Sequence, residues 1–121
     1  MEKEQTLDNL ILELRRGVIV LAVLIQCIQE QYGYSLMKSL SEKGLEIDQG
    51  TLYPLLRRLE TQGLLSSNWR VEDARPRRYY QLSQAGHENL PKLIHEWENI
   101  VQMMQNMLDV NSKENNNGYI N

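Results

Sequence analysis

The sequence contains one cysteine, Cys27, three prolines and seven glycines among 121 residues. A lone thiol cannot close a disulfide within the chain, so a disulfide framework is excluded and a reducing cytoplasm is the expected compartment. Such modest proline and glycine content excludes collagen-like and proline-rich disordered chains. Long apolar runs are also missing. The longest, Gly17 to Ile28, holds twelve residues including Gln26, well short of the ~20 that span a bilayer, so a buried helix and no membrane contact are expected. Residues 1–8 are charged where a secretory leader would be basic and then apolar, so no leader is expected either. What is present, 41% hydrophobic and 24% charged residues, is the composition of an ordinary globular domain with one core.

The formal net charge is −3, but it is unevenly placed. Met1 to Gln49 carries 5 basic and 8 acidic side chains, Gly50 to Tyr80 carries 6 and 3, and Gln81 to Asn121 carries 2 and 5. Only the middle segment is basic, and all its cations are arginine. The guanidinium fork suits phosphates and guanine edges, so the segment reads as one nucleic-acid-facing surface. A solvated charged face is the plain alternative.

Apolar residues at Leu7, Ile11, Leu14, Val18, Leu21, Ile25 and Ile28 step by four and three, which predicts a long first helix capped by Thr6 or Asp8. Val20, Val23 and Leu24 widen the apolar surface, so its second half is expected to be the more deeply buried. After a polar stretch, Gly33 opens a short helix with Leu36, Met37 and Leu40, ended by Gly44. Asp48 caps a third helix bearing Leu52, Leu55, Leu56 and Leu59 and stopped by Gly63. Pro54 lies about one turn in and costs it one backbone bond.

Leu64–Trp69 and Arg77–Leu82 read as strands joined by a polar loop, 70–76. From Ser83, the positions Leu90, Ile94, Trp97, Val101, Met104 and Leu108 form a heptad seam, which calls for a partner helix. Pro91 is expected to kink or split this helix between His87 and Pro91. The Asn-rich tail, 111–121, has no apolar period and is expected to be disordered. The expected organisation is 1–82 a winged helix-turn-helix domain with its N-terminal helix, 83–110 a C-terminal helix, then the tail. The fold class is mainly α with a small β-hairpin.

Two short helices and an arginine-bearing hairpin form the layout of a winged helix-turn-helix, whose second helix fits a major groove. Gln49, Gly50 and Thr51 begin that helix, where small or hydrogen-bonding residues let backbone approach a duplex and its N–H groups meet phosphate. Tyr53 and Arg57 follow within two turns. Tyr34, Ser35 and Lys38 open the preceding helix, which typically crosses the DNA backbone. At the wing, Arg75, Arg77 and Arg78 flank and follow Pro76. Arg77 and Arg78 point to opposite faces of a strand, which favours Arg75 and Arg77 as contacts over Arg78. Tyr53 could instead pack on the hairpin, and Arg58 reads as a surface or salt-bridge residue.

The strings YGYSLMKSL (residues 32–40), GTLYPLLRRLETQGLL (50–65) and ARPRRYYQLSQAG (74–86) resemble the PadR family of bacterial transcriptional regulators, over about residues 10–108. The resemblance implies a dimeric repressor on a palindromic promoter element, dimerised through the C-terminal helix with help from the first. Carried onto this chain, the dimer residues are Leu7, Ile11, Leu14, Ile94, Trp97, Val101, Met104 and Leu108. The single C-terminal helix is similar to that of the short, multidrug-responsive members. In some of those, a tryptophan matching Trp97 meets flat aromatic molecules between subunits, and Met103, Met104 and Met107 would supply adaptable walls. Trp97 could equally just fill the seam. One departure is Ala74, where the family usually has glycine before the Arg-Pro pair; a turn needing φ > 0 there would be strained.

Catalysis is not expected. His87 and His95 are ~12 Å apart along a helix, too far for one metal, Cys27 reads as packing, and no catalytic motif or cofactor loop is present. The expectation is therefore a cytoplasmic homodimeric repressor that binds a palindromic duplex, without metal or cofactor, and responds to a planar aromatic molecule. Its rival is a winged helix that docks an acidic protein partner.

Overall fold

A computed structural model describes residues 2–116, with side chains to Asp109. In chain order it holds α1 (Glu2–Gln26), β1 (Gln31–Tyr32), α2 (Gly33–Glu42), α3 (Gln49–Thr61), β2 (Leu65–Glu72), β3 (Arg75–Leu82) and α4 (Gln84–Asn116). The strands form one antiparallel sheet in the order β1-β3-β2. Packing divides the chain into Met1–Leu90 and Pro91–Asn121.

The core of the first unit follows the helical periods. Leu36 and Leu40 of α2 and Leu52, Leu56 and Leu59 of α3 are fully or almost fully buried, with Val23 and Leu24 of α1 and Cys27 just after it, and Leu65, Tyr80 and Leu82 supplied by the sheet. Burying one such leucine stabilises the fold by about 1.5–3 kcal/mol. In α1 the buried residues are Val23 and Leu24, joined by Cys27 just after the helix, whereas Leu7, Ile11, Leu14, Val18 and Ile25, and Ile28 beyond its end, stay exposed. The four-three stripe is thus a second apolar face, left uncovered. The helix also starts earlier than expected, at Glu2, and Thr6 does not cap it: its Oγ1 donates to the Glu2 carbonyl, one turn back, at 2.8 Å.

Both expected glycine stops are present. Gly44 and Gly63 take φ of 96° and 81°. Leu45 N–H then reaches the Leu40 carbonyl and Leu64 N–H the Leu59 carbonyl, both at 2.9 Å, which satisfies the last carbonyls of α2 and α3. Asp48 caps α3, its Oδ1 accepting from the Thr51 N–H at 2.9 Å. Gly86, in the first turn of α4, sits on the Leu64 carbonyl so closely that a Cβ would lie 2.2 Å from that oxygen.

Three expectations change. The hairpin has no long loop over 70–76, because β2 and β3 pair out to Glu72 and Arg75 and turn on Asp73 and Ala74 alone. These two residues take φ of 51° and 63°, the left-handed pair that a two-residue turn matching strand twist demands. Pro91 does not split α4, which is continuous across it. Both Pro91 and His87 are exposed, so the carbonyl that loses its donor can turn to water. The helix also continues beyond 110 to Asn116, and the rest of the expected tail, 117–121, lies outside the described residues. The short β1 was not anticipated, since two residues carry no readable period.

Candidate nucleic-acid interface

α2 and α3 are consecutive helices joined by residues 43–48, and the hairpin follows α3 directly. This sets the start of α3 beside the wing. A cleft of about 340 Å³ lies between them, lined by Tyr53 and Arg57 of α3, Gly33 and Tyr34 of α2, and Trp69, Pro76, Arg77 and Arg78 of the wing, with Tyr32 and Tyr80.

Gln49, Gly50 and Thr51 are exposed at the helix start. Gly50 has no internal reason to be glycine: its φ is not positive, and a Cβ there would meet only Asp48 Oδ1, at 3.9 Å. A helical glycine gives up about 1 kcal/mol relative to alanine, so the open space above it is the notable feature. The Thr51 N–H is already taken by Asp48, and hydrogen bonding with Thr51 holds that carboxyl below its usual range. A carboxylate held charged at the helix start opposes an incoming phosphate. The expectation that the helix-start N–H groups hold phosphate therefore does not extend to Thr51.

Tyr53 is half-buried. Its ring covers Gly33, where a Cβ would fall 2.3 Å from Tyr53 Cε1. The ring thus rests on the start of α2 while lining the cleft shared with the hairpin. Arg57 is exposed and makes no ion pair among the described residues. Arg58 is exposed too, without a salt bridge among the described residues, in a groove between α1 and α3 beside Arg16 and Pro54. In α2, Tyr34 and Lys38 face solvent. The Ser35 hydroxyl works inside the fold, accepting from the Tyr32 N–H at 3.0 Å and lying 2.8 Å from Gln31 Oε1 as donor.

The wing arginines are not one uniform positive surface. Arg70 pairs with Glu30 at 2.6 Å, Arg77 with Glu72 at 3.3 Å and Arg78 with Glu60 at 2.7 Å. Half of the basic segment's cations are thereby matched by carboxylates, one of them, Glu30, from outside the segment. Arg57, Arg58 and Arg75 remain unpaired among the described residues. Arg77 also lies over the Tyr32 ring, 4.7 Å from its centre, and Arg70 over Tyr79 at 4.4 Å. Tyr79 donates its phenol proton to Glu72 at 2.7 Å, which raises its pKa above the usual phenol value.

Arg78 and Arg77 do fall on opposite faces. Arg78 looks toward α3, where its Nε donates to Ser67 Oγ at 3.0 Å while its Nη2 holds Glu60. Ser67 in turn donates to Glu60 at 2.5 Å, closing a triad that braces the wing against α3. Sequence reasoning missed Glu60 and Trp69. The only signal for Glu60 was an acid one turn below Arg57, and Trp69 read as an ordinary strand residue.

On α4, Leu90, the first seam position, is buried, whereas Trp97, Val101, Met104 and Leu108 are exposed and Ile94 is half-exposed, so the seam beyond Leu90 has no cover among the described residues. No helix among the described residues is long and apolar enough to cross a membrane.

Residues 20–92 match the Transcriptional regulator PadR-like family. Over 75 residues the chain is 43% identical to Transcriptional regulator Rv3488 of Mycobacterium tuberculosis, covering 61% of this chain and 70% of that protein. The fold is similar to that of a PadR family transcriptional regulator from Eggerthella lenta, with a TM-score of 0.81 and 40% identity over 89% of this chain and 96% of that one. A PadR-like transcriptional regulator from Bacillus cereus superposes with a TM-score of 0.71 at 27% identity, covering 79% and 96% of the two chains. The family and these neighbours are transcriptional regulators, not enzymes.

Proposed function

The chain belongs to the PadR-like family of transcriptional regulators, and from that premise we propose that it is a cytoplasmic homodimeric repressor of a palindromic operator. Each protomer lays the start of α3 in a major groove, with Gln49, Thr51, Tyr53 and Arg57 toward the duplex. Tyr34 and Lys38 meet the neighbouring backbone, and Ser35 holds the helix that presents them. Arg75 is the wing's free cation, while Arg77 and Arg78 reach phosphate from positions fixed by Glu72 and Glu60. The observation that carries this reading is Gly50, a helical glycine with nothing of its own fold to accommodate, as close backbone approach to a duplex requires.

Two uncovered apolar surfaces support the dimer: the α1 stripe, in which Leu14 is 79% exposed, and the α4 seam, in which Trp97 is 45% exposed. Monomers rarely leave such surfaces open. In the dimer the two α3 helices address half-sites about 34–36 Å apart or a multiple of that. Trp97, with Met103, Met104 and Met107 exposed near it on the same helix, offers a planar aromatic molecule a stacking surface at the two-fold axis. Such a molecule relieves repression by favouring a dimer whose recognition helices no longer match the operator spacing.

Selection from a pool of randomised duplexes tests the reading. Enrichment of an inverted repeat supports it, and retention of sequences without symmetry contradicts it. For the ligand, saturable quenching of indole fluorescence by planar aromatic compounds is expected, and its absence removes that part alone.

A further inference from the structure

Leu12, Arg16, Ile19 and Val20 of α1 face Thr51, Pro54, Leu55 and Arg58 of α3 across a groove of about 450 Å³. A second hollow of about 340 Å³ adjoins it. Leu12, Ile19 and Thr51 line both, and Glu46, Ile47 and Asp48 line only the second. Together they form a trough with an apolar floor, guanidinium groups at one end and carboxylates at the other.

The trough is separate from both surfaces described above. On α3 it takes Thr51, Pro54 and Arg58, whereas the cleft beside the wing takes Tyr53 and Arg57. On α1, at 3.6 residues per turn, its four residues lie roughly 150° around the helix from the exposed stripe of Leu7, Ile11, Leu14, Val18 and Ile25. A dimer built on that stripe therefore leaves the trough open. Its charged groups are also available. Arg16 and Arg58 have no ion-pair partner among the described residues. Glu46 accepts from the Ser41 hydroxyl and Asp48 from the Thr51 N–H, each through one oxygen, which leaves each a second oxygen for a cation.

We propose that the trough binds a short apolar peptide in extended form, its terminal carboxylate held by Arg16 and Arg58 and its terminal ammonium by Glu46 and Asp48. Guanidinium forks match a carboxylate with paired hydrogen bonds. Asp48 and Arg58 are ten residues apart on α3, about 15 Å at 1.5 Å per residue, which is the span of about four or five extended residues. Alternate side chains of such a peptide point to opposite sides, so one set rests on the apolar floor while the other meets water. A fatty acid would satisfy the arginines but set its apolar end against two carboxylates, whereas a zwitterion satisfies both ends. Because Thr51 and Arg58 belong to α3, occupancy of the trough changes the affinity for duplex, an effector role that rests on the operator-binding reading above.

The test is calorimetry on the full chain without DNA, with a pentapeptide of alternating leucine and serine as the probe. Saturable binding is expected, weakened about fivefold by amidating the C-terminus and by acetylating the N-terminus. Arg58→Gln is expected to weaken the free peptide about fivefold and leave the amidated one unchanged, and Glu46→Gln to do the same for the free and acetylated forms; both positions are exposed. No saturable binding at millimolar peptide, or equal binding of free and blocked peptides, overturns the site. Decanoate that binds as tightly as the peptide, unaffected by Glu46→Gln, overturns the peptide in favour of an acyl carboxylate. A bound peptide that leaves affinity for a selected duplex unchanged overturns the effector role alone. Failure of the wild type to select any duplex overturns operator binding and leaves the calorimetry standing.

Discussion

Gly33 and Tyr53 fit together as seat and lid: the Tyr53 ring lies where a side chain at residue 33 would begin, with Cε1 2.3 Å and Oη 2.5 Å from an added Cβ. This contact joins the start of α2 to the recognition helix and sets the floor of the cleft beside the wing. Gly33→Ala is expected to destabilise the fold by about 1–3 kcal/mol by forcing the ring aside, and to weaken duplex binding. Combining it with Tyr53→Ala relieves the clash, so the double variant is expected to be more stable than the sum of the single losses, a coupling of roughly 0.5–3 kcal/mol. Urea unfolding of the four proteins measures this, and strict additivity would show that the two residues do not meet.

The arginines are expected to separate by their internal partners. Arg57→Ala and Arg75→Ala each remove a free cation and lower the slope of log affinity against log salt by about one. Arg77 is already paired with Glu72 and stacked over Tyr32, so Arg77→Ala is expected to lower the slope by less. Fluorescence anisotropy at several salt concentrations gives the slopes, and equal losses for all three would contradict this ranking.

Ala74 is expected to be a site of strain. Its φ of 63° costs an L-residue about 1–2 kcal/mol, part of which glycine gives back as chain entropy. Ala74→Gly is therefore expected to stabilise the protein by about 0.5–1 kcal/mol, read as a higher urea midpoint. An unchanged or lower midpoint would contradict it.

Cys27 is completely buried, and burial pushes its thiol up to about 12 from an ordinary 9.0. The native state therefore keeps the proton while the unfolded chain loses it. The associated stability is complete below about pH 8.5–9 and is lost as pH rises toward the folded-state value, by about 1.4 kcal/mol per pH unit. Cys27→Ala is expected to flatten this alkaline loss. In the native protein at pH 8 the thiol is expected to resist alkylation until denaturant is added; rapid labelling of the folded chain would contradict the burial.

The sequence was legible wherever one residue type had one physical reason. Gly44 and Gly63 ended their helices because left-handed stops favour glycine, Asp48 capped α3, and the leucines of α2 and α3 built the core their spacing implies. The wing was less legible because exposed strand positions tolerate polar residues, so Arg70, Glu72 and Asp73 looked like a loop. α1 carries two apolar faces, and periodicity alone does not say which one the core takes; the buried one holds Val23 and Leu24, with Cys27 just past the helix end, not the longer stripe. The basic segment was visible as a sum of charges, but its pairing was not. Glu30 and Glu60 meet Arg70 and Arg78 only through tertiary structure, which leaves Arg57, Arg58 and Arg75 without an ion-pair partner among the described residues.

Sedimentation of the protein on its selected duplex tests the two-fold reading most directly. At saturation the account predicts two chains on each inverted repeat, with the free protein already dimeric at micromolar concentration. A monomer in solution that loads one chain per duplex would contradict it.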